Sequence, residues 1–416
     1  MNFFARTAAV GAEPPESSPE STDLGYVVLS RMEWESPLGT NARDIARELA
    51  LTHRVLFVNP PLDWNTRYFG KRPAAPAGRQ PRLVQPNLWV LDPPITLASI
   101  NWLPDNRLYD WLNHHNNRRV ASAVRQALGA IGLERFVLFN DNEMLWAFYL
   151  KELLDPALSV YYLRDNMLAL PFWQRHGARL EPLLLAKSDV VVGNSAYLAQ
   201  HARQFNAWSF DIGQGCDFSK ITPDADHPVP DDLRALPRPT IGYIGALSGH
   251  RIDADLLAYV ARTRPDWSLV LIGPNDVTFD WSALKPLPNV HWLGPKRPEE
   301  VSAYLQHLDV LVNPQLFNEV TNGNYPRKID EYLAMGKPVV ARRTTAMEPF
   351  RQHVLLAEDG PAFVRCLDQA LTGQYPADRA ERIRFAREHT WANSVGQLQE
   401  AVHQRLRAVR REVDLG

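Results

Sequence analysis

Two runs of alternating strand and helix patterns, separated by a proline-rich segment, dominate this sequence of 416 residues. The short apolar runs at 26–30 and 54–58 have the composition of buried strands. Between them, residues 40–51 place Ala42, Ile45, Ala46 and Leu49 on one face of a helix. A strand, a helix and a strand within about 30 residues predict a βαβ unit and therefore a parallel sheet.

The segment 222–239 divides the two runs. It carries five prolines among acidic residues, which argues against a helix or a central strand and favours a linker. We therefore predict an α/β protein with an N-terminal domain at 24–221 and a C-terminal domain at 240–376. Residues 1–23 have the composition of a disordered tail rather than a signal peptide. Residues 377–416 predict a helical segment that packs back across the domains.

Composition excludes several classes of protein. With 45% hydrophobic and 22% charged residues, the chain is typical of a globular enzyme. Its 45 Lys and Arg nearly balance 47 Asp and Glu, so the bulk charge does not indicate a nucleic-acid partner. The two cysteines form neither a disulfide framework nor a zinc motif, which favours a reducing cytoplasm. The absence of an apolar run of about 18 residues predicts no transmembrane helix.

Glycine turns end three successive predicted strands of the second half, at Gly245, Gly273 and Gly294. Glycine lets backbone amides approach a phosphate closely, and a following helix N-terminus favours an anion. A tight turn explains any one of these glycines equally well. Lys296 follows the third turn. Because all three turns fall at strand ends, we expect them to form a ligand-binding wall.

The segment 322–340 carries the clearest chemical pattern. Pro326 is placed to begin a helix, so Arg327 and Lys328 would lie in its first turn, where cations oppose the helix dipole. A bound diphosphate would remove this conflict. Glu331 lies one turn further on, where it could accept hydrogen bonds from a ribose diol. The alternative is that Arg327 and Glu331 form an ordinary surface ion pair.

These motifs carry a resemblance to a known family. The stretches GYIGAL, LVLIGP, HWLG, HLDVLVNP and KIDEYLAMGKPVVA resemble the C-terminal domain of GT-B glycosyltransferases. They are most similar to family-4-like enzymes of bacterial surface-polysaccharide synthesis, including teichuronic-acid-type transferases. The resemblance covers 240–371 well and the first half more loosely. It implies a GT-B fold, in which two Rossmann-like domains with doubly wound parallel sheets face each other across a cleft.

The resemblance also implies an activity. The enzyme would transfer a sugar from a nucleotide-sugar donor to a hydroxyl of a glycan or lipid-linked acceptor in bacterial cell-envelope polysaccharide biosynthesis. UDP is the expected carrier, and no cofactor is expected. The implied donor-binding residues are the three turn glycines with Lys296, Asn324, Tyr325, Arg327, Lys328 and Glu331. Family 4 enzymes carry a second glutamate eight positions before the residue that Glu331 matches, but that position is Gly323 here, so Glu319 or Asn324 would replace it.

Three acidic residues follow strands of the first half and are candidates for a general base. Asp165 directly follows a predicted strand and matches an Asp of related transferases, while Asp141 and Glu143 follow another strand. A turn or helix-cap role is the alternative for each. No metal site is expected, because the two D-x-D triplets lie in the linker and at a helix start. A metal-independent transfer would then use Arg327, Lys328 and backbone amides to neutralise the leaving diphosphate.

Two clusters of aromatic and basic residues occur in the first half. The first contains Trp64, Tyr68, Phe69, Lys71 and Arg72, and the second contains Trp102, Arg107, Tyr109, Trp111, Arg118 and Arg119. Such mixtures suit a lipid headgroup interface or a carbohydrate surface, although core aromatics beside solvated arginines are the alternative. Peripheral contact with the inner face of the cytoplasmic membrane is therefore a hypothesis. A nucleotide-sugar 2-epimerase and a non-catalytic glycan-binding relative are the alternative functions.

Overall fold

The computed structural model describes residues 24–36, 39–69, 80–319, 321 and 323–414, and the side chains of these residues as far as 412. The predicted tail at 1–23 and the basic pair Lys71 and Arg72 lie outside the described residues. The strands of the first half are β1 (Leu24–Leu29), β2 (Val55–Val58), β3 (Leu62–Asp63), β4 (Arg82–Gln85), β5 (Leu88–Leu91), β6 (Thr96–Leu97), β7 (Arg135–Asp141), β8 (Leu158–Leu163), β9 (Val190–Gly193) and β10 (Ser209–Asp211). The helices of the first half are α1 (Asn41–Leu49), α2 (Trp64–Phe69), α3 (Arg107–Ile131), α4 (Leu150–Leu154), α5 (Pro171–Lys187) and α6 (Ala196–Ala202).

The first sheet has eight strands in the order β10-β9-β8-β7-β1-β2-β5-β4. Every pair in it is parallel except β4 with β5, which is antiparallel. Its central strands are continuous apolar runs because helices cover both faces. Val28 packs with α1 on one face, whereas Val27 packs with α3 on the other. The sequence pattern did not predict β4 and β10, because they are short edge strands with little apolar pattern.

The second half builds a separate sheet. Its elements are α7 (Asp231–Arg234), β11 (Thr240–Ile244), α8 (Ala254–Thr263), β12 (Ser268–Ile272), β13 (Val290–Trp292), α9 (Val301–His307), β14 (Val310–Asn313), α10 (Lys328–Ala334), β15 (Val339–Arg342), β16 (Leu355–Ala357), α11 (Gly360–Leu371), α12 (Arg379–Arg387) and α13 (Trp391–Asp414). The strand order is β13-β12-β11-β14-β15-β16, and every pair is parallel. Helices α8 and α11 cover one face, and α9 and α10 cover the other.

The proline-rich segment 222–239 lies between the two sheets. The expectation that it contains no helix is wrong, because α7 forms between its prolines. Pro230 precedes this helix with an extended ψ of 137°, and two aspartates fill the first turn, where the helix dipole favours negative charge. The segment therefore uses its prolines to flank one short helix.

The end of the chain connects the two halves. Helix α12 packs against α10 of the second half, whereas α13 packs against α1 of the first half. Trp391, Val395 and Leu398 of α13 enter the same core as β1. Where the chain crosses to the first half, the Trp391 ring packs directly on Gly215. A Cβ added at Gly215 would lie 2.2 Å from a carbon of that ring. None of the described helices is long and apolar enough to span a membrane.

Candidate active site

A pocket of about 420 Å³ lies between the carboxyl ends of the two sheets, and we call it the cleft pocket. This is where open parallel sheets bind ligands. The first half lines it with residues that follow β1, β8 and β9 and with the start of α1. The lining residues are Arg31, Met32, Gly39, Thr40, Asn41, Arg164, Asp165, Asn194, Gln214, Arg251, Asn324, Tyr325 and Arg327.

Guanidinium groups dominate the charge of the cleft pocket. Asp165 Oδ2 lies 3.0 Å from Arg164 Nη1 and 3.8 Å from Arg31 Nη2, while its Oδ1 lies 3.7 Å from Arg251 Nη2. Arg251 belongs to the second half, so Asp165 joins the two halves. The fourth arginine, Arg327, makes no ion pair within the described ranges. The pocket therefore presents more positive than negative charge, which suits a diphosphate.

The glycine loops at the ends of β11 and β12 lie against each other. Gly245 has φ 154° and Gly273 has φ 140°, a region that other residues rarely adopt. A Cβ added at Gly273 would lie 2.0 Å from the carbonyl oxygen of Gly245. A Cβ added at Gly245 would lie 2.8 Å from Lys328 Nζ. Both positions therefore require glycine, and the lysine ammonium lies directly beside the first loop.

Lys328 is a partly buried cation at the start of α10. Its Nζ donates a hydrogen bond to the Tyr243 hydroxyl and lies 4.1 Å from the centre of that ring. Burial, followed by the nearby Arg251 charge, lowers the pKa of Lys328 to about 7. The group is thus poised between its charged and neutral forms, and an anion at the Gly245 loop would favour the charged form.

Glu331 lies one turn along α10 and is partly buried. Its carboxylate has no hydrogen-bond or ion-pair partner in the described part of the chain. Burial raises the pKa of Glu331, while the charges of Arg327 and Lys328 oppose this effect. The alternative of an Arg327–Glu331 surface pair is wrong, because no such pair forms. Arg327 occupies the N-cap position, just before the first turn, and its side chain makes no capping hydrogen bond.

A second pocket of about 600 Å³ lies in the first half, and we call it the N-terminal pocket. Apolar and aromatic side chains form most of its wall, together with a few charged groups. Arg31 lines this pocket as well as the cleft pocket, so the two spaces meet at one guanidinium. The charged lining residues are Arg31, Asp63, Glu143 and Arg175.

Comparison with known proteins identifies the second half. The family described as "Glycosyl transferases group 1" matches residues 238–372. These residues form a group 1 glycosyltransferase domain. A curated relative, "Putative teichuronic acid biosynthesis glycosyltransferase TuaH" of Bacillus subtilis (strain 168), is 27% identical over 242 residues. That match covers 55% of this chain and 60% of the relative, so it spans about three fifths of the relative's length.

Solved structures establish the fold across about nine tenths of the chain. Sucrose-phosphate synthase from Thermosynechococcus elongatus aligns with a TM-score of 0.66 at 15% identity, covering 92% of this chain and 100% of that one. Anabaena Alr3699/HepE in complex with UDP and glucose aligns with a TM-score of 0.64 at 15% identity, covering 91% and 100%. The predicted GT-B fold and the predicted resemblance to glycosyltransferases are therefore confirmed. The 2-epimerase alternative gains no support from these comparisons.

The group 1 domain brings most of the predicted donor residues to one face. Asn324, Tyr325 and Arg327 line the cleft pocket, while Lys328 lies beside the Gly245 loop. Lys296 is an exception, because its Nζ lies 2.6 Å from Asp232 of the proline-rich segment and it does not line the cleft pocket. The structure thus gives the prediction for Lys296 no support.

The residues at and near Gly323, where the family's first glutamate is missing, also differ in whether they line the cleft pocket. Gly323 faces Tyr197 of the first half, since an added Cβ would lie 2.1 Å from that ring. Ser195 Oγ also donates to the Gly323 carbonyl at 3.3 Å. Of the two proposed replacements, Asn324 is buried in the cleft pocket, whereas Glu319 is exposed. The close contact with Tyr197 leaves no room for a side chain at Gly323.

The three candidate bases have different surroundings. Asp141 is fully buried and accepts two hydrogen bonds from Arg164, at 2.6 and 3.3 Å, which corrects its prediction as a base. Both carboxylate oxygens of Asp165 lie within 4 Å of a guanidinium, because Arg31, Arg164 and Arg251 surround it. Glu143 Oε1 accepts from the amides of Leu145 and Trp146, at 2.7 and 3.1 Å, yet burial raises its pKa to about 7.

Sequence reasoning missed two arginines of this site. Arg31 follows β1, and Arg251 lies in the loop after Gly245, where it meets Asp165 across the cleft. The position of each at a strand end was the available signal. Among the described side chains, no group of three or more His, Cys, Asp and Glu residues is placed to hold a metal ion.

Proposed function

We propose that this chain transfers a sugar from a nucleotide-diphosphate sugar to a hydroxyl of a glycan or lipid-linked acceptor. One observation carries the proposal. Within a GT-B fold, four arginines from both sheets converge on a cleft pocket whose single acidic lining residue is Asp165. This excess of fixed positive charge suits the diphosphate of a nucleotide sugar, both when it binds and when it leaves.

The donor would lie against the group 1 domain. In this arrangement Arg327 and Arg251 bind the diphosphate, and the Gly245 and Gly273 loops let it approach the backbone. Lys328 supplies charge from beneath the first loop. Glu331 has no partner in the described structure and binds the ribose diol. UDP is the proposed carrier, because Anabaena Alr3699/HepE shares the fold and was solved with UDP and with UDP-glucose.

The acceptor would occupy the N-terminal pocket. Glu143 lines this pocket and has a pKa of about 7, which suits a group that takes the proton of an attacking hydroxyl. Its Oε1 is held by two backbone amides, so the other oxygen is the one offered to the acceptor. Asp165 instead positions Arg31, Arg164 and Arg251 around the cleft pocket.

Donor binding tests the proposal directly. A thermal-shift panel of UDP-, GDP-, dTDP- and CMP-sugars should select one base, and calorimetry should then measure the affinity of the matching nucleoside diphosphate. Glu331→Ala should lose about tenfold in that affinity without a change in melting temperature. Arg365→Gln, on the exposed side of α11, is the matched control and should bind like the wild type. A chain that binds no nucleoside diphosphate would refute the proposal.

Peripheral membrane contact is the second part of the proposal. Several large aromatic side chains are exposed around the N-terminal pocket, including Trp64 at 60%, Phe69 at 85% and Trp102 at 67%. The pocket itself is lined by Trp102 and by Asn65 of α2. Aromatic residues with nearby arginines suit a lipid interface. Such contact would place the chain at the inner face of the cytoplasmic membrane, beside a lipid-linked acceptor.

Vesicle flotation tests this contact. The wild type should float with vesicles that contain phosphatidylglycerol, and a Trp64→Ser, Phe69→Ser double variant should remain at the bottom of the gradient. Tyr259→Ser, another exposed aromatic on the second half, is the control and should float like the wild type. If the double variant floats as well as the wild type, the aromatic surface does not bind lipid.

A further inference from the structure

Arg31 occupies the wall between the two pockets, and its guanidinium is poorly satisfied. Its side chain is only 12% exposed. Nε and Nη1 are buried and donate no hydrogen bond to any described residue. Nη2 reaches Asp165 only at 3.8 Å, which is longer than a hydrogen bond. Buried guanidinium donors are almost always paired, so this exception needs an explanation.

Neighbouring side chains support the Arg31 guanidinium, but no described carboxylate pairs with its charge at hydrogen-bond distance. Its guanidinium carbon lies 5.2 Å from the centre of the Trp173 ring, which supports it as a cation–π partner. Asp141, a fully buried carboxylate whose charge acts on Arg31, is engaged by Arg164. Glu143 shares the N-terminal pocket with Arg31, but its Oε1 is engaged by backbone amides.

A second arginine lines the same pocket. Arg175 of α5 is exposed and makes no hydrogen bond or ion pair with any described residue. Asp63, the other charged lining residue, accepts a hydrogen bond from the Thr66 amide at 2.7 Å. Among the charged groups of the pocket, the two cations thus have unmade hydrogen bonds, whereas the two carboxylates already accept them.

We propose that the N-terminal pocket recognises an acceptor that carries an anionic group, which Arg31 binds at the inner wall with Arg175 nearer the solvent. The planar guanidinium matches both a carboxylate and a phosphate. A sugar acid and a sugar phosphate are the two sources of that shared chemistry. This inference deepens the proposed function and rests on it, because it names the acceptor class of the same site.

Calorimetry with three small probes tests the proposal on the full chain. Methyl glucoside is the neutral probe, methyl glucuronide carries a carboxylate, and glucose 1-phosphate carries a phosphate. At least one anionic probe should bind about tenfold more tightly than methyl glucoside. Whichever anion is preferred identifies the source of the negative charge. Equal affinities for all three probes, or no binding by any of them, would overturn the proposal.

Variants assign the preference to Arg31. Arg31→Gln should lose the tenfold preference while keeping its weak affinity for methyl glucoside, and Arg31→Lys should retain part of the preference. Arg175→Gln should lose about threefold, whereas the control Arg365→Gln should behave like the wild type. Melting temperatures check the fold of each variant. An Arg31→Gln protein that folds and keeps the full anionic preference contradicts the proposal.

A parallel titration with UDP separates this inference from the proposed function. If the wild type binds no nucleoside diphosphate, the proposed function fails, whatever the probes show. If UDP binds and Arg31→Gln weakens UDP alone, Arg31 belongs to the donor site and the inference fails. If Arg31→Gln loses the anionic preference and still binds UDP through the other three cleft arginines, both are supported.

Discussion

The partly buried Lys328 makes nucleotide binding depend on pH in a direction that follows from its lowered pKa. Its pKa is lowered to about 7 in the free protein, mainly by burial. A diphosphate at the adjacent Gly245 loop would favour the charged ammonium and raise this pKa again. Binding of UDP above pH 7 therefore requires the uptake of a proton by Lys328.

The magnitude follows from the size of the shift. Above a pKa of about 7, the charged fraction of Lys328 falls about tenfold for each pH unit. Close to the pKa the fall is smaller, so if the pKa in the complex rises to 9 or more, the affinity for UDP should fall about fivefold between pH 7 and pH 8, a loss of about 1 kcal/mol. The terminal phosphate of UDP is already ionised over this range, because its second pKa is about 6.

The stability of the free protein should change in the opposite direction. The unfolded chain keeps the ordinary lysine pKa of about 10.4, so between pH 7 and 10 it binds more protons than the folded chain. The free energy of unfolding therefore receives from Lys328 a contribution that rises with pH, by at most about 1.4 kcal/mol per unit. Saturating UDP should reduce this rise, since it returns the proton to the folded state.

Calorimetry from pH 7 to 9 in buffers of different ionisation enthalpy measures both the affinity and the proton uptake. Lys328→Met keeps an apolar stem against Tyr243 but removes the titrating group, so its weaker UDP affinity should no longer depend on pH. A wild-type affinity that stays within about twofold from pH 7 to 9, without proton uptake, would refute the reasoning.

Three further variants probe the loops, the base and the crossing helix. Gly273→Ala should lower stability by more than about 2 kcal/mol in urea unfolding, because its added Cβ meets the Gly245 carbonyl at 2.0 Å; a loss below 0.5 kcal/mol would contradict this. Glu143→Gln should reduce kcat about a hundredfold and remove the decline in kcat below pH 7, while an unchanged profile would assign the base elsewhere. Trp391→Ala should cost about 3 kcal/mol of stability, since the ring packs on Gly215 in the core of the first half; a change within 1 kcal/mol would show that α13 adds little.

The fold was predictable because its signals are local. The apolar runs at the centre of each sheet specify buried parallel strands, and the Asp253 cap and following apolar positions specify α8. Short edge strands such as β10 and β16 carry three residues each, which is too few for a periodic pattern. Helix α7 also lacked a signal, because four residues between prolines do not form a period.

The candidate site was predictable only on one side. Arg327, Lys328 and Glu331 share a short stretch of chain, so their proximity follows from helix geometry. The convergence of Arg31 and Arg251 on Asp165 joins residues far apart in sequence, and no local pattern encodes it. No local pattern encodes the pairing of Lys296 either. Its position after a glycine loop predicted a donor-binding role, but its ammonium pairs with Asp232 instead.

The donor helix α10 is connected to the end of the chain by a buried contact. Asp330, the neighbour of Glu331, is fully buried, and its Oδ1 accepts a hydrogen bond from His389 Nδ1 at 2.7 Å. His389 lies between α12 and α13, where the chain crosses to the first half, and its carbonyl accepts from the Cys216 amide at 2.9 Å. The Asp330 carboxylate raises the pKa of His389 against the effect of burial. His389 therefore contacts α10 through its ring and the first half through its backbone. The segment between α12 and α13 thus helps to set the position of the donor-binding residues relative to the N-terminal pocket.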